Sequence, residues 1–345
     1  MTSMNGSMRT RMRAGRRLPA SLPVLAAVLL LGACAGISLA VGARTVPLSD
    51  VLETLAGGRR GTLADAVVLG RIPRTIFGLL AGASLGTAGV LMQAVTRNPV
   101  ADPGILGVNT GAALAVVCGI AFLGIGTPGA YLLLALAGAG LTAVLVYGVG
   151  SLGPGGATPI KLALAGAAAS AALSSAVGAV MLPRTEVMNA YRFWQVGSLG
   201  GADWQGIAAI LPLLAVGFLL GMLLGPSLDA LAMGDDMARG LGVRVQCVRI
   251  AGAAAGVLLC GAVTAQAGPI GFVGLLVPHV ARMLTGPDHR LLLPWAAAGG
   301  ALLMLSADIA GRLLGSPGEL EAGIVTAFLG APALIVLARK TMVKA

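Results

Sequence analysis

The residues with the clearest chemical potential in this sequence are arginines that border apolar segments. Arg71 and Arg74 stand three positions apart just before one apolar run, and Arg312 ends another run four residues after Asp308. Residues four apart share a helix face, so Asp308 can brace Arg312. A guanidinium donates two parallel hydrogen bonds to a carboxylate. These arginines are therefore suited to grip carboxylates; contact with lipid headgroups is the alternative.

Patterns of catalytic and metal-binding residues are missing from the sequence. It has no Gly-Lys dipeptide, hence no phosphate-binding P-loop, and neither an H-E-x-x-H nor a G-x-S-x-G motif. The cysteines, Cys34, Cys118, Cys247 and Cys260, lack the spacing of metal ligands. We predict that the chain is not an enzyme, that it holds no metal or cofactor, and that it cannot hydrolyse ATP.

The composition indicates a membrane protein. Of 345 residues, 57% are hydrophobic and only 10% are charged, too few to cover a soluble surface. The apolar residues come in runs of about 20, the length that crosses the hydrocarbon core. The alternating segments of a membrane β-barrel are not seen. The fold class is therefore predicted to be all-α, a polytopic membrane protein with about ten transmembrane helices.

Glycine is abundant, with 53 residues. In lipid, helices associate through small residues that allow close backbone approach. Gly82 and Gly86 form one such pair, and further small-residue surfaces surround Gly138 and Gly252. A biased genome composition is the other explanation for the excess.

The apolar runs define ten predicted spans. They cover about residues 20–41, 76–95, 104–123, 131–149, 162–182, 204–224, 248–267, 270–284, 291–310 and 322–338. Long polar segments run through Arg60 to Arg74 and over residues 183–203 and 226–246.

The basic residues set the predicted orientation. Residues 1–19 form a basic extension, predicted to be cytoplasmic, and residues 20–340 form a single transmembrane domain. An even number of spans then places the C-terminus inside as well, where Arg339, Lys340 and Lys344 lie. This assignment puts 15 of the 23 basic residues inside. The net charge of +10 is thus explained by the membrane, and no nucleic-acid partner is predicted.

Five sequence blocks carry a family resemblance. With the ten spans, they resemble FecCD/BtuC-type permeases of ATP-binding-cassette (ABC) importers, which carry iron–siderophores, haem and vitamin B12. Residues 98–109 and 192–199 look most similar to ferric-enterobactin permeases. The blocks are residues 71–74 with 97–107, 193–199, 268–279 continuing to 288–290, 307–312 and 323–332.

The resemblance implies a function and a set of partners. The chain would be a multi-pass permease of the bacterial inner membrane that translocates catecholate-type ferric siderophores. It would pair with a second copy or a paralogous permease, with two ATPase subunits inside and a siderophore-binding lipoprotein outside. Haem or vitamin B12 is the alternative cargo. An ion-coupled secondary transporter is the alternative class, but its usual mid-membrane ionisable residues are nearly missing here.

The loop at residues 226–246 is predicted to contain two short helices. Ser227 and Asp235 are suitable N-caps, and Gly234 and Gly242 are suitable stops, for helices at about 228–233 and 236–241. The resemblance implies that this loop couples to the ATPase; an ordinary solvated loop is the alternative. The residues assigned to coupling are Ser227, Leu228, Asp235, Asp236, Ala238, Arg239 and Leu241.

Two proline-containing turns and the outer arginines complete the predicted sites. The resemblance implies that Asn98-Pro99-Val100 and Thr158-Pro159 narrow the cytoplasmic exit; plain helix-end turns are the alternative. It also implies that Arg71, Arg74 and Arg312 dock glutamates on the two lobes of the binding protein.

Overall fold

The computed structural model describes residues 21–42, 44–58, 61–153, 158–316 and 318–342. Within these residues the fold is all-helical and contains no strand, which confirms the predicted all-α class; the predicted count of about ten spans is not confirmed. The basic extension and Arg60 lie outside them. The helices are α1 (Ser21–Ala40), α2 (Leu48–Leu55), α3 (Leu63–Thr96), α4 (Val108–Leu123), α5 (Pro128–Gly150), α6 (Pro159–Met181), α7 (Thr185–Gln195), α8 (Trp204–Ala232), α9 (Asp235–Gly240), α10 (Val245–Ala267), α11 (Val273–Thr285), α12 (His289–Leu314) and α13 (Ala322–Met342), with a 3-10 turn at Pro103–Leu106.

Seven of the described helices are long and apolar enough to cross a membrane. They are α1, α3, α5, α6, α8, α10 and α12. Shorter apolar helices cover Val108–Leu123, Val273–Thr285 and Ala322–Ala333.

Helix α3 is the centre of the bundle, and it is longer than its predicted span. It packs against α8, α10, α11 and α12. It begins at Leu63, more than three turns before the predicted span at 76–95, because Thr62 and Asp65 form a reciprocal capping box. Arg71 and Arg74 therefore lie within a helix, whereas the sequence predicted a polar segment before the span.

Glycines bring the backbones of α3 and α12 together, as the small-residue pattern predicts. A Cβ atom on Gly82 would overlap the carbonyl oxygen of Gly300, and one on Gly86 would overlap that of Ala296. Toward α11, a Cβ on Gly89 of α3 would meet the carbonyl oxygen of Gly274. The close approach depends on these side chains being absent.

The polar segments hold more helix than the sequence indicated. The amphipathic helices α2 and α7 occupy residues that were predicted only as polar.

The segment at residues 268–272 is non-helical, and α11 starts inside the bundle, where Gly274 meets Gly89. Irregular backbone at this depth is tolerated because protein surrounds it.

The predicted short helix at 228–233 is wrong. Helix α8 continues through Pro226 to Ala232, because Leu228 and Leu231 pack fully buried against the bundle. The second short helix is confirmed as α9, with Gly234 rather than Asp235 at its N-cap.

Candidate functional site

Two polar clusters lie far apart along α3, one about three turns after its first residue and the other just beyond its last. Arg74 belongs to one and Arg97, which follows the last residue of α3, belongs to the other. At a rise of 1.5 Å per residue, the two arginines are about 35 Å apart along the helix. We call these the arginine end and the α9 end.

At the arginine end, Arg74 holds two carboxylates at once. Its Nη2 lies 2.7 Å from Oδ1 of Asp308, and its Nη1 lies 2.6 Å from Oε2 of Glu319. The Asp308 side chain is 1% exposed, whereas that of Glu319 is 38% exposed. Arg74 therefore has one buried partner and one that faces the outside of the bundle.

Arg312 lies in the interior rather than on the surface. Its side chain is 1% exposed, and its Nη2 is 3.0 Å from Oδ2 of Asp308, which confirms the predicted bracing. Its Nη1 donates to the carbonyl oxygens of Ser38 and Val41, each at 2.9 Å. This burial leaves Arg312 inaccessible to a partner in this conformation, and its guanidinium is satisfied within the chain.

Arg71 also binds the end of α1. Its Nη1 donates to the carbonyl oxygen of Leu39 at 2.9 Å, and its Nη2 donates to that of Arg44 at 2.6 Å. The last carbonyls of a helix have no partner within the helix. Arg71 and Arg312 therefore cap the C-terminus of α1, a role that the sequence did not indicate.

At the α9 end, Asp235 is the central carboxylate. Its Oδ1 lies 2.5 Å from Nη2 of Arg97 and 3.0 Å from Nη2 of Arg249. Arg239 pairs with the neighbouring Asp236 at 2.8 Å. Asp235 thus joins α9 to the end of α3 and to α10.

The residues assigned to coupling fall into two groups. Asp236, Arg239 and Leu241 are exposed, together with the apolar side chain of Met237. Leu228 and Ala238 are fully buried, and Ser227 and Asp235 are partly buried. The exposed group can contact a partner, whereas the buried group holds α9 against the bundle.

The two predicted gate turns meet at the α9 end. Asn98 and Thr158 line the same cavity of about 490 Å³, with Arg97 and Ile160. Oδ1 of Asn98 accepts from the Val100 N–H at 3.1 Å, and both Pro99 and Val100 are exposed. Thr158 caps α6, whose first residue is Pro159.

The chain returns into the bundle after this turn. Ala101 is fully buried, and Oδ1 of Asp102 accepts from the Gly104 N–H at 2.8 Å. Burial raises the pKa of the Asp102 carboxyl, and the Gly104 N–H opposes that shift.

Sequence reasoning missed Glu319, Arg97 and Arg249 as members of these clusters. Glu319 is 245 residues from Arg74, and Arg249 is 14 residues from Asp235 with no helical register between them. An unpaired charge beside an apolar run was the available signal, but no spacing rule identified its partner.

The helical bundle and its seven long apolar helices are typical of a polytopic helical membrane protein. The sequence matches the FecCD transport family over residues 28–340. The chain belongs to this family of ABC-transporter membrane permeases, which are not themselves enzymes.

Individual relatives agree with this membership. The chain is 42% identical to the ferric enterobactin transport system permease protein FepD of Escherichia coli, over 91% of this chain and 93% of the relative. It is 41% identical to the Fe(3+)-citrate import system permease protein YfmD of Bacillus subtilis, over 88% and 90%. A solved inward-facing structure of a proposed metal-chelate type ABC transporter superposes with a TM-score of 0.80 at 28% identity, covering 92% of this chain and 98% of that one.

Proposed function

We propose that the chain is the permease subunit of an importer that carries ferric siderophores of the catecholate, enterobactin-like class into the cytoplasm. The observation that carries this proposal is the 42% identity to the ferric enterobactin permease across nearly the whole of both chains. Energy would come from ATP hydrolysis on a separate subunit, because the sequence has no P-loop of its own.

Ferric citrate is the second candidate cargo. The Fe(3+)-citrate permease is 41% identical to this chain, only slightly less than the enterobactin relative. Both ligands present iron in an anionic chelate, so overall sequence identity does not distinguish between the two cargoes.

The cargo is tested by growth. A strain that lacks its own permease genes, but retains the matching ATPase and binding protein, would express this chain in iron-limited medium. We expect ferric enterobactin to restore growth. Restoration by ferric citrate alone would favour the second candidate, and restoration by haem or vitamin B12 alone would reject both.

The proposed topology has ten spans, with both termini and the α9 end in the cytoplasm. The three shorter apolar helices would complete the count beside the seven long ones. Single cysteines in place of Asp236 on α9 and Glu186 on α7, both exposed, should react with an impermeant thiol reagent from opposite sides. Labelling of both from one side would overturn the topology.

We assign binding-protein docking to the arginine end. Arg74 is the basic residue there that faces an accessible carboxylate, so an acidic partner would meet Arg74 and its neighbour Arg71. Arg312 would support docking indirectly, since it holds Asp308 and the end of α1 from the interior. In a two-fold dimer each arginine appears twice, so both lobes of one binding protein could be held.

We assign ATPase coupling to α9 and gating to the turns at residues 98–100 and 158–159. The exposed Met237 and Leu241 give α9 an apolar face that a groove on the ATPase would cover. The shared cavity of the two turns supports a common gate, because movement of either one changes the space between them.

A further inference from the structure

A single carboxylate connects three parts of the α9 end. Asp235 is the first residue of α9, and its Oδ1 accepts from Arg97 at 2.5 Å and from Arg249 at 3.0 Å. Arg97 follows α3 directly, whereas Arg249 lies on the first turns of α10 with only 5% exposure. Asp235 thus pairs with Arg249, which is anchored in α10, and with Arg97, which begins the loop after α3.

Arg97 is held in an unusual conformation. Its φ of 49° is left-handed, a region that residues other than glycine adopt only when their surroundings hold them there. Its Nη2 donates to the Leu231 carbonyl oxygen at 2.5 Å as well as to Asp235. Contacts from the end of α8 and from α9 therefore hold this backbone.

The backbone that Arg97 controls is the candidate gate. Asn98, Pro99 and Val100 follow it immediately, and the Ala101 N–H closes their turn by donating to the Asn98 carbonyl oxygen at 3.0 Å. Arg97 and Thr158 also line both cavities of this end, one of about 450 Å³ beside Asp235 and one of about 490 Å³ beside Asn98. A shift of Arg97 therefore alters the space on both sides of the turn.

We propose that Asp235 is a positioning residue that transmits movement of α9 to the gate turn through Arg97. Arg249 is the fixed point on α10 from which Asp235 moves. When the ATPase displaces α9, the shared carboxylate pulls or releases Arg97, and the turn at residues 98–100 follows. This inference rests on the proposed coupling role of α9 and the proposed gating role of that turn.

The test compares Asp235→Asn with Asp288→Asn in proteoliposomes that contain the permease, its ATPase and its binding protein. Asp288 is the matched control, since it is exposed and its side chain caps α12, a role that asparagine also fills. We expect Asp235→Asn to assemble and hydrolyse ATP, while chelate uptake per ATP falls by about tenfold, within the range for coupled sites. Asp288→Asn should keep the parental ratio.

A second readout follows the gate directly. In a background without the four native cysteines, Val100→Cys should change its labelling rate when ATP is added. With Asp235→Asn, we expect that response to be lost while α9 still binds the ATPase. If Asp235 had only a structural role, Asp235→Asn would lower assembly of the complex, and ATP hydrolysis and gate movement would fall together.

The outcomes separate the inference from the proposed function. If Asp235→Asn keeps both the uptake ratio and the Val100→Cys response, Asp235 is not the link, and the coupling and gating roles stand. If Asp235→Asn abolishes ATPase association, Asp235 is a docking contact and the link is overturned. If Val100→Cys does not respond to ATP even with Asp235 present, the gate assignment fails, and the inference fails with it.

Discussion

At the scale of single residues, the arginine end shows how buried charge is kept in a membrane protein. Arg74 and Arg312 share the carboxylate of Asp308, and Arg312 also donates to backbone oxygens of α1. Buried ions are tolerated only when paired and hydrogen-bonded. The exposed Glu319 differs, because water can replace Arg74 as its partner.

The first residue-scale prediction concerns Glu319→Gln. Glu319 occupies the outward side of Arg74, where a partner's carboxylate would bind, so its neutralisation should strengthen binding-protein docking. An exposed ion pair is weak, and we expect a gain in affinity of up to about fivefold. The affinity of the binding protein for the permease in nanodiscs measures this gain. Glu321→Gln removes the same charge two residues away and should have a smaller effect; weaker docking of Glu319→Gln would make Glu319 itself a contact.

The second concerns Asp308→Asn. Loss of this carboxylate leaves the guanidinium of Arg312 buried without its anionic partner, which costs about 3–5 kcal/mol in comparable sites. We expect a clearly lower unfolding temperature in detergent. Glu186→Gln, at an exposed position of α7, should leave the temperature unchanged. Equal stability of both variants would contradict the structural role of the buried pair.

At the scale of elements, α3 organises the molecule because it reaches both end clusters and packs against α8, α10, α11 and α12. Its glycine face sets the distance to α12, and its last turn leads into the proposed gate turn. Helix α9 has too few residues to be stable alone, so it depends on the buried Ala238 and on the ion pairs of Asp235.

The glycine face is tested with Gly82→Leu. The new side chain would meet the backbone of Gly300, which cannot move aside as a side chain can. Overpacking typically costs about 1–3 kcal/mol, and contact with backbone belongs to the upper part of that range. We expect reduced yield of folded permease by size-exclusion chromatography. Gly70→Leu is the control on the same helix, because a Cβ there meets nothing within 4 Å.

Helix α9 is tested with Ala238→Glu. Ala238 is fully buried, so a carboxylate there must either be desolvated or push α9 away from the bundle. We expect ATPase association in a pull-down to fall, while insertion into the membrane is retained. Unchanged association would remove the docking assignment of α9.

At the scale of the whole molecule, the proposed docking and coupling tasks fall to two clusters along one helix. At the arginine end Arg74 pairs with the exposed Glu319, whereas the α9 end carries a short helix with exposed apolar side chains.

The corresponding prediction concerns transport mode. Uptake in proteoliposomes should require ATP hydrolysis and the binding protein together, and it should weaken as salt screens the docking charges over about 8–10 Å. A hydrolysis-deficient ATPase is the control. Uptake driven by a proton or sodium gradient, with neither component present, would contradict the importer class.

The sequence alone determined the helical class, the positions of most apolar helices and the pairing of Asp308 with Arg312, because hydrophobic run length and helical register are local properties. It also indicated the contact surface of Gly82 and Gly86 through their spacing. The blocks that resemble FecCD/BtuC-type permeases identified the family, which the matches confirm.

The tertiary structure decided which charges are paired. Arg74 meets Glu319 and Asp235 meets Arg249 only after the segments that carry them pack together, and no local period encodes those pairs. It also decided that Arg312 is interior and that α8 continues through Pro226. The free energy gained by burying Leu228 and Leu231 outweighs the tendency of Pro226 to break the helix. That tendency was the only signal that the sequence itself provided at this position.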